Sequence, residues 1–179
     1  VPHPQLATEI ELPRLPIRSS AYTSVPRPAP ALGADSAEIL AQLAHVSPDE
    51  FTRLRGAETV AGPDAATAGP PPPDRRTEGS AGDPARTSSL PLRGIRVVDF
   101  CWMAAGPLVT EMLANLGADV IKVESEARLD TLRVSVQPVS NPTIETSAFF
   151  QDCNTDKRSI TCNLQTPDGI RLIKELIRD

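Results

Sequence analysis

The sequence predicts an α/β fold built on a Rossmann-like open parallel sheet, of which it contains the amino-terminal part. The first observation is a β-branched run, IRVVDF (95–100), which reads as a buried strand. The second is an apolar helical pattern that follows it and leads into a second buried strand, DVIKVE (119–124). Strand, helix and strand within about thirty residues form a right-handed βαβ unit, the usual start of a doubly wound sheet.

The first segment, residues 1–60, is predicted to be a short α+β tail. Closely spaced prolines preclude a long helix near its start, and LATEIEL (6–12) is predicted to form one short strand. A short helix is then capped by Asp35 or Ser36, and a second begins at SPDEF (47–51) with serine at the N-cap and proline at N1. Two short helices and a strand cannot bury a core alone, so this segment must pack against something else.

The second segment, residues 61–91, is predicted to be a disordered linker. It contains four consecutive prolines (70–73), several glycines and almost no large apolar side chain, so folding could not offset its ordering entropy. A proline-rich docking ligand is the alternative interpretation, since GPPPPDRR (69–76) resembles such a sequence.

The third segment, residues 92–179, contains the βαβ unit and its continuation. Its first helix is predicted to open at Gly106–Pro107 and to end before Gly117 at the C′ position. The predicted apolar stripe of this helix is Leu108, Met112, Leu113 and Leu116.

After this unit, RSITCNL (158–164) is predicted to be a third strand. A helix then starts at Thr166–Pro167–Asp168 and runs to the end of the chain. Its predicted apolar face is Ile170, Ile173, Leu176 and Ile177.

Composition excludes several functional classes. The net charge of −5 over 179 residues argues against a nucleic-acid binder, because no excess of Lys and Arg is available to displace counterions from phosphates. Three cysteines without CxxC spacing indicate reduced thiols in a cytoplasmic protein, and two histidines far from any cysteine argue against a zinc site or a Ser-His-Asp triad. No apolar run approaches transmembrane length. The chain starts without methionine or a signal-peptide pattern, which suggests a fragment.

The loops after the strands offer a place for a ligand, because ligands of open α/β sheets lie beyond the carboxyl ends of the strands. Ala104 and Ala105 permit close approach to the backbone at a helix amino terminus, but a simple structural turn is the alternative. NTDKRS (154–159) places two cations beside turn residues, and these either bind a ligand or face solvent. Asp99 is interpreted as a structural residue rather than a base.

Two other groups near these loops allow two interpretations each. Trp102 either covers a ligand or belongs to the core. Glu124, Asp130 and Arg133 either bind something or face water.

Two motifs carry a family resemblance. LPLRGIRVVDF…AGPLVTEMLANLGADVIKVE runs from Leu90 to Glu124, and NTDKRSITCNLQTPDG runs from Asn154 to Gly169. In order and spacing they resemble the class III CoA-transferase family, which includes formyl-CoA and carnitine CoA-transferases and the related α-methylacyl-CoA racemases. The resemblance covers residues 90–179.

A second resemblance lies upstream. RPAPALGADSAEILAQLAHVSPDEFTRLR (27–55), with HPQLA (3–7) before it, is similar to the carboxy-terminal tail of the same family. The two resemblances together imply the tail of a first CoA-transferase-like module (1–60), a linker (61–91) and the start of a second module (92–179). They imply a tandem protein whose modules form an interlocked dimer or an intramolecular pseudo-dimer.

The resemblance implies an enzyme that transfers CoA between an acyl-CoA and a carboxylic acid through an aspartyl intermediate. Its aspartate would lie beyond Asp179, so no residue here is predicted to be catalytic, and the chain alone is expected to be inactive. CoA and acyl-CoA are implied as substrates, with no permanently bound cofactor and no metal, nucleic-acid or membrane partner. The positions that correspond to CoA-binding places are Ala104, Ala105, Ser125, Lys157, Arg158, Cys162, Asn163, Leu164 and Gln165.

Three positions depart from the family pattern. Ser125 stands where a basic residue often sits, Asn163 replaces an aspartate, and Cys162 replaces a leucine. The departures at Ser125 and Asn163 keep one alternative to the transferase open, a non-catalytic half that binds acyl-CoA or acts as a scaffold. An acyl-CoA racemase of the same superfamily is a second alternative, which acid and base residues farther along the protein would decide.

Overall fold

A computed structural model describes residues 2–3, 8–9, 22, 26–63, 90–135 and 142–178. Most of the predicted linker, and with it the choice between disorder and docking, lies outside the described residues. In chain order the elements are β1 (Pro2–His3), β2 (Thr8–Glu9), α1 (Ser36–Leu43), α2 (Pro48–Gly56), β3 (Arg96–Asp99), α3 (Ala105–Asn115), β4 (Asp119–Glu124), a 3-10 helix (Thr131–Val134), α4 (Ala148–Cys153), β5 (Arg158–Thr161) and α5 (Pro167–Arg178).

The centre of the fold is a three-stranded parallel sheet in the order β3-β4-β5. Asp99 of β3 lies opposite Lys122 of β4, which in turn lies opposite Ser159 of β5. Helix α3 connects β3 to β4, as the βαβ pattern predicts. The predicted α/β class with an open parallel sheet is therefore confirmed.

The two predicted helices of the amino-terminal segment are present, and their caps differ. At α2 the Ser47 hydroxyl accepts a hydrogen bond from the backbone N–H of Glu50 (3.2 Å), the N-cap that the SPDEF motif predicts. Asp35 precedes α1, but its carboxylate accepts from the backbone N–H of Ser159 (2.7 Å) rather than from the helix. The predicted strand at LATEIEL corresponds to β2, which pairs antiparallel with β1.

One face of the sheet carries the main apolar core. Helices α1, α2 and α5 pack against this face through side chains that are almost fully excluded from solvent. The largest of them are Ile39, Leu40, Phe51, Leu54, Ile121, Val123, Ile160, Leu172, Ile173 and Leu176. The apolar side of the amino-terminal helices is therefore buried against the sheet. Each side chain of this size contributes about 1.5–3 kcal/mol to the free energy of unfolding when it is fully buried.

Helix α3 buries a different face from the one predicted. Leu108 and Met112 of the predicted stripe are each 37% exposed, whereas Thr110, Glu111 and Asn115 are buried. The polar face points inward because each of its side chains finds a buried partner. The predicted core face of α3 was wrong at Leu108 and Met112, since hydrophobic periodicity does not register such partners, whereas Leu113 packs partly buried against a small apolar cluster.

The predicted apolar face of α5 was right in part. Ile173 and Leu176 are buried in the core, but Ile170 is 45% and Ile177 is 59% exposed. Leu172 is fully buried instead, which shows that the helix is rotated by about one residue from the predicted orientation.

The amino-terminal segment also pairs with the outer edge of β5. The backbone N–H of Asp35 donates to the Ser159 carbonyl (2.9 Å), and the backbone N–H of Thr161 donates to the Ser36 hydroxyl (3.0 Å). Farther along, the backbone N–H of Asn163 donates to the Thr59 carbonyl (2.8 Å). These bonds cover an edge strand that would otherwise expose unpaired backbone groups.

Candidate functional site

The carboxyl ends of the three parallel strands bring three loops to one edge of the sheet. These loops follow Asp99, Glu124 and Thr161. Open α/β sheets bind ligands in the crevice at this edge, so it is the candidate site.

The loop after β3 leads directly into α3 and exposes small side chains. Ala104 and Ala105 are exposed, and no side chain caps the amino terminus of this helix. The free N–H groups of a helix amino terminus favour an anion. Gly106 serves packing, because a Cβ built there would lie 2.6 Å from Cys101 Cβ and 2.8 Å from its Sγ. In this loop Ala104 and Ala105 therefore face solvent, whereas Gly106 packs against Cys101.

Beneath this loop lies a buried ion pair between Lys157 and Asp99. The Lys157 Nζ donates to Asp99 Oδ2 (3.0 Å), the Pro107 carbonyl (2.9 Å) and Asn154 Oδ1 (2.8 Å). Thr110 Oγ1 also donates to Asp99 Oδ2 (2.7 Å). Both charged side chains are 0% exposed. The pair therefore ties β3 and the start of α3 to the turn before β5.

Burial and pairing shift the pKa values of these groups. Desolvation pushes the pKa of Asp99 upward, but the Lys157 ammonium and hydrogen bonds from Thr110 and the Cys101 backbone outweigh it, so the pKa lies below its ordinary value. The pKa of Lys157 is lowered by burial, against the opposing attraction of Asp99. Burial, followed by the neighbouring Asp99, raises the pKa of the Cys101 thiol, so this thiol stays protonated at neutral pH.

A second buried network lies under the loop after β4. The Arg133 guanidinium donates to both oxygens of Glu124 (2.9–3.1 Å) and to Glu145 Oε2 (2.7 Å). Its Cζ lies 3.6 Å from the centre of the Phe150 ring. Lys122 and Asp130 form a neighbouring ion pair (2.8 Å), and both side chains are 0% exposed. These groups neither face water nor remain free to bind a ligand.

The structure brings some of the predicted site residues together at the carboxyl edge. Ala104 and Ala105 start α3, Ser125 follows β4, and Leu164 and Gln165 are exposed after β5. Asn163 shapes the last loop, because its Oδ1 accepts from the backbone N–H of Gln165 (3.0 Å) and its carbonyl accepts from Thr166.

Other predicted residues are placed elsewhere. The Lys157 side chain is buried against Asp99. Arg158 lies at the amino end of β5, where its guanidinium contacts both carboxylate oxygens of Asp119 (2.8–2.9 Å). Cys162 is buried, and desolvation raises the pKa of its thiol to about 12. Its side chain is therefore a neutral part of the core rather than of the exposed edge.

Two contacts at this edge were not predicted. The guanidinium of Arg128 lies 4.5 Å from the ring centre of Trp102, so the turn after β4 touches the loop after β3. Arg128 is exposed and makes no ion pair with any residue that the structure describes. The buried ion pair of Lys122 was also not predicted, although the sequence contains one signal for it. Lys122 is the only cation inside the apolar run DVIKVE.

A groove elsewhere in the described residues does not coincide with this edge. It has a volume of about 510 Å³ and lies beside β3 and the end of α5, lined by Ile95, Val98, Phe100, Leu176 and Ile177 among others. Its Arg96 is paired with Asp119 (3.3 Å), so the groove offers no uncompensated cation to a phosphate. We therefore regard it as a packing surface and retain the carboxyl edge as the candidate site.

Neither a membrane span nor a metal centre is evident in the part of the chain that the structure describes. None of its helices combines the length and the apolar character that crossing a bilayer requires. Within the same residues, His, Cys, Asp and Glu do not gather into groups of three that could hold an ion.

Comparison with known proteins shows which family this chain resembles. The profile of CoA-transferase family III matches residues 92–179. Formyl-CoA:oxalate CoA-transferases from Escherichia coli O6:H1 and from Shigella boydii serotype 18 are each 41% identical to this chain over 91 residues. In both cases the match covers 51% of this chain and 21% of the relative, so the chain spans about a fifth of the length of these curated relatives.

Solved structures also match about half of this chain. A CAIB/BAIF family protein from Brucella suis is 41% identical with a TM-score of 0.44, and covers 49% of this chain and 23% of its own. A hypothetical protein from Mycobacterium tuberculosis is 36% identical with a TM-score of 0.41, and covers 48% of this chain and 22% of its own.

Proposed function

Because residues 92–179 belong to CoA-transferase family III, we propose that this chain is part of an enzyme that moves CoA between an acyl-CoA and a carboxylic acid. We further propose that the carboxyl edge of the sheet forms part of its CoA-binding surface. The observation that carries this proposal is the exposed Ala104–Ala105 start of α3, which has small side chains and no side-chain cap. Such a surface suits the close approach of an anionic ligand to the backbone.

The proposed surface consists of Ala104, Ala105, Ser125, Leu164 and Gln165. Lys157 and Arg158 are left out of it, because their cations already neutralise buried or half-buried carboxylates. Cys162 and Asn163 contribute by shaping the loop after β5, the first from the core and the second through its turn hydrogen bonds.

The proposed chemistry needs a carboxylate nucleophile. An aspartate attacks the thioester carbonyl of the acyl-CoA, which gives a mixed anhydride and releases CoA thiolate. The thiolate then attacks the aspartyl carbonyl, which forms an aspartyl-CoA thioester and releases the first carboxylic acid. The acceptor acid reverses these two steps and leaves as its CoA thioester. Asp99 and Asp130 are poor candidates for this role, because each is buried and paired with a lysine.

A non-catalytic half that binds acyl-CoA is the second candidate. The observation that favours it is electrostatic: Ser125 carries no charge, and Lys157 and Arg158 both have carboxylate partners. An acyl-CoA racemase of the same superfamily would use the same surface, and its own acid and base residues distinguish it from the transferase.

We also propose that the chain joins two modules of a longer cytoplasmic protein. Residues 26–63, which include the stretch 27–55 that resembles the carboxy-terminal tail of the family, pack against β5 and α5 of the matched segment. This packing supports an intramolecular pseudo-dimer or interlocked dimer in which the tail of one module completes the sheet edge of the next.

The 179-residue chain alone is expected to show no CoA transfer. The reason is that the aspartates at its carboxyl edge are engaged in buried ion pairs and cannot act as nucleophiles. The measurement is chromatographic detection of a new acyl-CoA after incubation of the purified chain with an acyl-CoA and a free carboxylic acid. Turnover above that of a heat-denatured sample would contradict this expectation.

Substitution of Ala105 by leucine tests the proposed CoA surface. Because Ala105 is exposed, the larger side chain should block the edge and weaken CoA binding while the melting temperature changes little. Gly106→Ala is the matched control: the added Cβ would collide with Cys101, and overpacking of this kind costs about 1–3 kcal/mol of stability. Calorimetric titration of CoA and thermal melting are measured for both variants. If Ala105→Leu leaves the affinity unchanged, the edge does not bind CoA.

A further inference from the structure

The loop between β3 and α3 is held by the buried ion pair of Lys122 and Asp130. Lys122 Nζ donates to the Cys101 carbonyl (2.9 Å) as well as to Asp130 Oδ2 (2.8 Å). The other oxygen of Asp130, Oδ1, accepts from the backbone N–H of Met103 (3.2 Å) and of Leu132 (3.0 Å). The pair thus contacts the loop backbone at two points, one through each partner.

The second of these contacts lies at a strained position. Met103 has φ of +62°, in the left-handed region that residues with a Cβ avoid. Its side chain is 59% exposed, so packing of that side chain does not hold the backbone in this conformation. The hydrogen bond from the Met103 N–H to Asp130 is the contact available to hold it there. After this turn Ala104 and Ala105 are exposed to solvent.

Asp130 is itself fixed from two other sides. Its backbone N–H donates to Glu124 Oε1 (3.0 Å), and Glu124 is locked by Arg133. Lys122 neutralises the Asp130 carboxylate and orients it. These partners hold the Asp130 carboxylate in one orientation, and its hydrogen bond to Met103 fixes the position of the loop backbone relative to it.

We propose that Asp130 is a positioning residue for the CoA-binding edge, and that its carboxylate sets the left-handed turn at Met103 that presents Ala104 and Ala105 to the ligand. This inference rests on the proposed function. An ion pair that served stability alone would contribute nothing to ligand affinity beyond folding. Here the hydrogen bond to Met103 couples the pair to the shape of the edge.

Two double variants isolate the acceptor atom that Asp130 offers to the Met103 and Leu132 N–H groups. Replacing Asp130 alone would leave the Lys122 ammonium buried without its counter-ion, so both variants carry Lys122→Met. Lys122→Met/Asp130→Asn retains an oxygen that accepts from the Met103 N–H. Lys122→Met/Asp130→Leu has a side chain of similar size with no acceptor. The comparison between the two therefore reports the acceptor and not the charge.

Three quantities are measured on the 179-residue chain: melting temperature, amide hydrogen exchange at Met103 by NMR, and CoA affinity by calorimetry. We expect the leucine variant to exchange the Met103 amide faster and to bind CoA about tenfold more weakly than the asparagine variant, a factor of the order that one net hydrogen bond contributes. Adding Met103→Gly to the leucine variant should recover part of the affinity, because glycine adopts a positive φ without a steric cost.

Equal exchange at Met103 in the two variants would overturn the inference, and so would equal CoA affinity despite different exchange. If the two variants bind CoA equally and the wild type also binds CoA, the proposed function still stands. A wild-type chain that does not bind CoA would instead refute the proposed surface, and the coupling of Asp130 to ligand binding would fall with it. Lys122→Met/Asp130→Ala replaces the leucine variant if leucine prevents folding. If neither apolar variant folds, Asp130 has a structural role and the positioning role is refuted.

Discussion

Replacing Lys157 with methionine is expected to lower the free energy of unfolding by about 3–5 kcal/mol, the usual cost of removing one partner of a buried ion pair. The substitution leaves Asp99 0% exposed without its cation. It also removes the hydrogen bonds from Lys157 Nζ to the Pro107 carbonyl and to Asn154 Oδ1. Urea denaturation of the variant measures the loss, and Lys174→Met, at an exposed lysine of α5, is the matched control.

The loss should depend on pH in a defined direction. In the wild type the pKa of Asp99 lies below its ordinary value, so its contribution is present above the pKa of an unfolded aspartate, at about 4, and declines as the pH falls further. Without Lys157, desolvation is opposed only by the hydrogen bonds from Thr110 and the Cys101 backbone, so we expect the pKa of Asp99 to rise. The stability gap between wild type and variant should therefore narrow as the pH is lowered from 7 towards 4. A gap that stays constant over this range would show that Asp99 and Lys157 are not coupled.

Replacing Arg133 with methionine should be similarly costly, at about 3–5 kcal/mol, because it leaves Glu124 buried without its cation. Arg133 also pairs with Glu145 (2.7 Å) and lies over the Phe150 ring. Arg133→Lys should recover only part of the loss, since an ammonium cannot reproduce the planar fork that contacts both oxygens of Glu124. Chemical denaturation measures all three proteins.

The double variant Glu124→Gln/Arg133→Met identifies the source of that loss. If the unpaired charge of Glu124 causes it, neutralising Glu124 should restore a large part of the stability. Arg178→Met, at an exposed arginine near the end of α5, serves as the control for loss of an arginine. A single variant Arg133→Met as stable as this control would contradict the predicted role.

The backbone of the fold was largely predictable because local signals and tertiary structure agree there. Strands β3 and β4 follow from β-branched runs, and α2 follows from the serine and proline at its start, which form the expected cap. Gly117, predicted to end α3, has φ of +102° and lies where a Cβ would contact Leu90 at 2.5 Å. In each case the residue type determines the local conformation on its own.

Side-chain burial was less predictable, because it depends on partners that are distant in sequence. Thr110 and Glu111 turn inward to bond Asp99 and Thr155, which lie 11 and 44 residues away. Hydrophobic periodicity treats these residues as surface and treats Leu108 as core. The 3-10 helix and α4 were missed for a related reason: α4 is only six residues long, too short for a periodic pattern.

The same limit applies to the candidate site. Small residues at the start of α3 were recognisable from sequence, since a loop between a strand and a helix predicts the carboxyl edge. The burial of the Lys157 side chain could not be recognised from sequence, because its partner Asp99 lies 58 residues earlier. The role of Asp130 was likewise hidden, since it depends on a backbone N–H and not on a side-chain pattern.

The covering of the β5 edge by the amino-terminal segment has a consequence for folding kinetics. Ser36 and Thr161, which this contact joins, are 125 residues apart, so closing it requires a long loop and adds to the contact order of the protein. During synthesis at about 5–20 residues per second, α1 would leave the ribosome roughly 6–25 s before its partner strand. Throughout that interval Ile39, Leu40, Phe51 and Leu54 lack the surface that buries them in the native state. Docking of this segment is therefore expected to be a late, slow step, and its nascent helices are expected to depend on chaperone binding until β5 has been made.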